Sequence, residues 1–227
     1  GEWCGHGPSL ETDIALTNIS LDLFGQTRSY FQYAAQLLGG KASEDSVAFL
    51  RYEHEYNNVL LVELPNKDFA YTIARQYLFD VYHQLLLMEL QNSTDETLSA
   101  IAKKSLKEVN YHVRFSGDWV LRLGDGTEES QQKMQKAIDD LWPYTDELFH
   151  QTEADKAMIQ TGIGVDVSLL KDTYYETIKA LLREATLTIP DGKYHQKGGK
   201  MGIHTEHMGY LLAEMQYMQR AYPNMTW

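Results

Sequence analysis

An all-α protein is the fold class this sequence predicts, and three observations carry the reading. Apolar residues recur at three- and four-residue spacing over long stretches. Alternating runs of β-branched residues are scarce, and the 227 residues contain only 5 Pro, so little interrupts a helix. The length suffices for one sizeable core, and no repeat, low-complexity tract or linker divides the chain. It reads as a single domain over residues 1–227.

Ser9 is placed to cap a first helix running to about Leu38 and ended by Gly39-Gly40. A serine hydroxyl accepts from the free N–H groups of a first turn, and glycine tolerates the left-handed step that closes a helix. Ser43 caps a second helix, with Glu44 and Asp45 in a first turn whose dipole favours acids, and Pro65-Asn66 closes it. A third helix spans about Asp68 to Gln91, and a fourth about Asp95 to Leu123, ahead of Gly124-Asp125-Gly126. A fifth covers about Glu128 to Glu153. A shorter helix follows from about Ser168 to Leu187, then a loop from Pro190 to Ile203 and a last helix from about Thr205 to Arg220. Long helices joined by short turns build an up-and-down bundle in which each buries one stripe against antiparallel neighbours.

Composition excludes several classes. The single Cys4 leaves no disulfide framework and no multi-cysteine metal site, and it fits a reducing, cytoplasmic compartment. Twenty Lys+Arg against 32 Asp+Glu give a net charge of −12, which argues against a nucleic acid or an anionic membrane as partner. No apolar run approaches the roughly 18 residues of a membrane span. The opening Gly1-Glu2-Trp3-Cys4-Gly5-His6 lacks the basic and apolar regions of a signal peptide, and starts without Met.

A long-helix bundle raises the di-metal carboxylate proteins, which need one Glu from each of two helices and a Glu-x-x-His from each of two others. The literal match, Glu147-Leu-Phe-His150, lies beside Asp139 and Asp140, off the stripe of Met134, Ile138, Leu141, Leu148 and Phe149. It is expected on a solvent face. In the fourth helix Leu98, Ala102, Ser105, Val109, His112, Val113, Ser116 and Val120 share the inward face. Val109 stands where a ligand carboxylate would be, and Glu108 is turned away by roughly 100°. His112 therefore reads as a core histidine bonded to a buried acid. Asp22 and Gln26 lie one turn apart in a polar strip of the first helix, and Asp80 shares a face with Gln76, His83 and Gln84 in the third. A buried Asp without metal must find donors or protons, so Asp22, Gln26, Asp80 and His112 are expected to form one polar core network, with no metal bound. The loop holding Lys193, Lys197, Lys200 and His204 is basic within an acidic chain. Its lysines and glycines are candidates for contact with a phosphate or with a partner protein. His204 and His207 stand three apart with no third ligand evident. Neither a Walker or dinucleotide fingerprint nor a nucleophile elbow is present.

Several longer strings carry a resemblance. They are Gly1-Glu-Trp-Cys-Gly-His6, Asn18-Ile-Ser-Leu-Asp-Leu-Phe-Gly-Gln26, Ala74-Arg-Gln-Tyr77 and Tyr111-His-Val-Arg-Phe-Ser116, with Gly198-Gly-Lys-Met-Gly-Ile-His-Thr-Glu-His207 and Leu212-Ala-Glu-Met-Gln-Tyr217. In these the chain resembles, over essentially its whole length, the PaaC-type family, the C-type components of bacterial phenylacetyl-CoA epoxidases. The resemblance implies a ferritin-like bundle with a degenerate di-iron site. It implies a non-catalytic, structural role beside a homologous A-type catalytic component, which holds the iron and epoxidises the aromatic ring of phenylacetyl-CoA in phenylacetate catabolism. A reductase component is the further partner, and phenylacetyl-CoA is expected at the edge between the two helical components. Against the catalytic component's pattern, one Glu-x-x-His falls on Leu23 and Gln26 and the other on Val109 and His112, with Asp80 as the retained acid. Family members begin with a further helix ahead of Gly1, so an uncovered stripe is expected here. The competing reading is a di-iron carboxylate oxygenase in its own right, using Asp80, His83, His112 and residues ahead of Gly1.

Overall fold

A computed structural model of the chain describes residues 1–192, 194–223 and 225. Among the described residues there is no β-strand, and eight α-helices are joined by short 3-10 turns. The helices are α1 (Leu10–Leu38), α2 (Glu44–Phe49), α3 (Phe69–Leu90), α4 (Glu96–Gly124), α5 (Glu128–Leu141), α6 (Glu153–Gln160), α7 (Lys171–Glu184) and α8 (Glu206–Ala221). No helix among the described residues is long and apolar enough to cross a membrane. The caps fall where the sequence puts them: Ser9, Ser43, Asp68 and Asp95 each accept a first-turn backbone N–H.

Two predicted helices are shorter than expected. The fifth ends at Leu141 because Pro143 brings no backbone N–H and its ring blocks the preceding turn; 3-10 turns at Trp142–Tyr144 and Asp146–Phe149 follow, then the separate α6. The second stops at Phe49. There Arg51 Nε donates to the Val47 carbonyl at 2.6 Å and the Tyr56 hydroxyl to that of Ala48. Gln216 and Arg220 of α8 donate to the carbonyls of Ala48, Phe49, Leu50 and Arg51. Side chains thus take the acceptors that another helical turn would have used. The predicted helix from Ser168 begins as a 3-10 turn at Val167–Leu170 before α7.

Helix α3 is the axis of the bundle. Residues Ala70 to Ala74 are all buried, as are Tyr77, Leu78 and Val81, the pattern of a helix enclosed on most sides. It packs on α4, α5 and α7, and its core partners include Leu61, Met134, Ile138, Leu148, Tyr174 and Ile178. Gln84 donates to Asn110 and Ser116 is hydrogen-bonded to Asp80, so α3 and α4 run antiparallel. Contacts Asp22–His112 and Gln26–Glu108 set α1 antiparallel to α4 in turn. Helix α1 lies at the edge, against α2 and α4. Its outer face exposes Leu10 (72%), Ile14 (51%), Leu21 (63%) and Phe24 (69%), which share one side of the helix.

The C-terminal segment is held by two buried acids. Glu147, 3% exposed, accepts from the backbone N–H groups of Leu60 (2.7 Å), Gly198 (2.7 Å) and Gly199 (2.8 Å). The expectation that Glu147 lies on a solvent face is therefore corrected. The break at Pro143 rotates it off the α5 face and into the core, while His150 is exposed. A Cβ at Gly199 would run into the Asn58 carbonyl, so only glycine permits this approach. Glu63, also 3% exposed, accepts from His204 Nδ1 (2.6 Å), Asn58 Nδ2 (2.8 Å), and the Thr205 N–H (2.9 Å) and hydroxyl (2.8 Å).

Two substitutions probe this frame. Glu147→Gln turns an amide N–H₂ toward a backbone donor and weakens charge-assisted bonds, so urea denaturation should give a loss of about 2–3 kcal/mol. Gly25 lies mid-helix in α1 with nothing within 4 Å of where its Cβ would stand. Gly25→Ala should therefore stabilise the isolated chain by about 0.5–1 kcal/mol in the same assay.

Candidate functional site

The polar residues singled out in the sequence gather where α1, α3 and α4 meet, in two clusters that Ser116 joins by bonding both Asp80 and the His112 carbonyl. In the first, His112, fully buried, meets the Asp22 carboxylate at 3.0 Å through Nε2, and Asp22 is 35% exposed. The acid facing His112 is thus half-buried, not a core acid. A carboxylate accepts, so Nε2 carries the hydrogen, and Nδ1 is buried without a partner. One turn along α1, Gln26 Nε2 donates to Glu108 at 2.7 Å. The expected outward rotation of Glu108 brings it onto the α1 side of α4. No sequence signal pairs it with Gln26, because the partner lies on another helix.

The second cluster surrounds Asp80, which is completely buried on α3. Gln76 Nε2 donates to one oxygen at 2.6 Å, and the Ser116 hydroxyl lies 2.9 Å from the other and 2.8 Å from the His112 carbonyl. Ser116 has one hydrogen for two acceptors. A protonated Asp80 resolves this by donating to Ser116 Oγ, which passes its own hydrogen to the His112 carbonyl. Burial pushes the Asp80 carboxyl up to about 7, against the pull of the Ser116 and Gln76 hydrogen bonds. Burial, with the His112 ring nearby, pulls His83 down to about 4, so its imidazole is neutral at pH 7. His83 packs on Phe79, 5.4 Å between ring centres, and its Nδ1 is buried without a partner.

These residues do not fit a di-iron centre. Asp80 has both oxygens engaged, His112 Nε2 is taken by Asp22, and Val109, three residues before His112, is fully buried against Leu87 and Ala102. Among the described residues no three His, Cys, Asp or Glu side chains converge as a metal site. The basic loop is likewise mostly committed to the chain itself. Lys200 reaches the His150 carbonyl at 2.6 Å and Asp155 at 3.3 Å, and both His204 nitrogens face acceptors, Glu63 Oε1 and the Tyr56 carbonyl at 2.9 Å. Lys200 and His204 are thus anchors of the fold rather than groups offered outward. Lys197 is exposed, and Lys193 lies outside the described residues.

A carboxyl held protonated by burial costs stability as pH rises. Between the unfolded value near 3.8 and the folded value of about 7 the native chain binds the extra proton, so Asp80's contribution falls across that window. His83 acts oppositely, its contribution rising from about pH 4 to 6.5. Asp80→Asn copies the protonated acid and removes the first effect alone. Its Tm should gain on wild type steadily from pH 5 to 7, whereas a pH-independent difference would show that Asp80 is ionised in the fold.

The chain is 51% identical, over all 227 residues and 91% of the relative's length, to the C-type component of the 1,2-phenylacetyl-CoA epoxidase of Escherichia coli strain K12. Residues 1–227 also match the family described as phenylacetic acid catabolic protein. With an all-helical fold and a full-length match, this chain belongs to the phenylacetic acid catabolic protein family.

Proposed function

We propose that this chain is a non-catalytic, structural subunit of a phenylacetyl-CoA epoxidase. Its ferritin-like bundle supports the catalytic component, which holds the di-iron centre and carries out ring epoxidation. The observation that carries the reading is on α4. Val109, buried among Leu87 and Ala102, occupies the position one turn before His112 where a Glu-x-x-His pair needs its carboxylate. Leu23, three residues before Gln26 on α1, leaves a second such pair without either ligand. What remains of donor chemistry is consumed internally, by Asp22 on His112 and by Gln76 and Ser116 on Asp80. The chain's own residues therefore fill and rigidify the bundle centre, and the exposed apolar face of α1 supplies area for a permanent helical partner.

The test is metal content by plasma mass spectrometry, with ring oxygenation of phenylacetyl-CoA, for this chain alone and with its catalytic partner. Iron and activity are expected only in the complex. His112→Asn should lower the Tm of the chain yet leave the iron content of the complex unchanged. Two irons per isolated chain would make it an oxygenase and end this reading.

A further inference from the structure

Among the described residues, seven cations meet an acid. Arg28 pairs with Glu44, Lys67 and Lys136 with Asp140, Lys133 with Glu129, Lys156 with Glu153, Lys171 with Asp146 and Lys200 with Asp155. Helix α4 differs. Among the described residues, Lys103, Lys104, Lys107 and Arg114 are all exposed and meet no carboxylate, although Asp118 stands one turn beyond Arg114. Arg114 instead lies over the Tyr111 ring, 5.7 Å from its centre. Lys103, Lys107 and Arg114 follow one row of the helix surface about 16 Å long, with Lys104 and Tyr111 on the adjacent row. In a chain of net charge −12 this is a local reversal of sign.

We propose that this ridge docks an acidic face of the reductase component of the assembly. The ridge is the convex outer side of a helix, away from the clefts that run along α8 and the Ile163–Leu170 segment. Small anionic ligands are held in concave sites, whereas a row of cations on a ridge complements a carboxylate-bearing protein surface. Lysine-rich, weakly apolar surfaces are depleted from the cores of permanent interfaces and suit brief, electrostatically steered contacts. Such a contact is what the chemistry needs. Epoxidation by O₂ places one oxygen atom in the ring and reduces the other to water with two electrons and two protons, so an electron donor must dock, deliver and leave. The apolar stripe of α1 and the basic ridge of α4 thus address two kinds of partner, one permanent and one transient.

This inference rests on the proposed role of the chain within an epoxidase, and the two fail differently. The probe is the purified reductase, titrated into the assembly of this chain with its catalytic partner. The triple variant Lys103→Glu, Lys107→Glu, Arg114→Glu should raise the half-saturating reductase concentration about tenfold at low salt. Raising salt from about 50 to about 300 mM should weaken the wild-type interaction and barely affect the variant. The KM for phenylacetyl-CoA should not change. The corresponding Lys→Gln, Arg→Gln triple should fall between the two, which separates charge from folding. Unchanged reductase half-saturation overturns the proposal. A raised KM for phenylacetyl-CoA assigns the ridge to the anionic substrate, and loss of co-purification with the catalytic partner in both triples assigns it to the permanent interface; either overturns it too. An iron-loaded isolated chain would instead sink the structural-role reading while leaving the docking measurement intact.

Discussion

A carboxylate inside a protein is tolerable only where donors replace its lost water, and Glu147 and Glu63 meet that demand with backbone N–H groups from distant parts of the chain. Glu147 joins the segment before α3 to the Gly198-Gly199 turn. Glu63 fixes the residue at which α8 begins. Because each acid is satisfied only when its partners arrive together, the C-terminal third has one position against the bundle rather than a range of them. Helix α8 in turn donates Gln216 and Arg220 to the carbonyls at the end of α2, so the same constraint propagates to the segment before α3.

The centre of the bundle is organised on the opposite principle. Its donors and acceptors are few, several ring and amide atoms are left without partners, and the one fully enclosed carboxyl holds a proton near neutrality. His83 is neutral, His112 is fixed by a half-exposed acid, and Val109 and Leu87 fill space with methyl groups. This is a core in which polarity is contained, as suits the structural role proposed for the chain.

Much of this is legible in the sequence where the cause is local. The caps of α1, α3 and α4, the inward face of α4 and the place of Val109 beside His112 follow from residue type and helical spacing alone. What depends on distant partners is not. Glu147 reads as surface because it sits among Asp139, Asp140 and Asp146, and only the turn at Pro143 and the arrival of Gly198 reveal it as core. The basic loop reads as an anion site because Lys200 and His204 stand beside glycines, whereas their acceptors, Asp155 and Glu63, lie far away in the chain. The pairing of Gln26 with Glu108 requires knowing that α1 runs antiparallel to α4.

The apolar row along the outside of α1 gives the protein's lifetime an unusual dependence. With Leu10, Leu21 and Phe24 facing water, the solitary chain has a route to sticking to copies of itself, and covering that row shifts every opening equilibrium toward the closed form. On the role proposed for the chain, its persistence is then governed by how much partner is present. Chains made in excess of their partner are the ones chaperones and proteases meet first, so quality control can hold the components in proportion without any dedicated regulator.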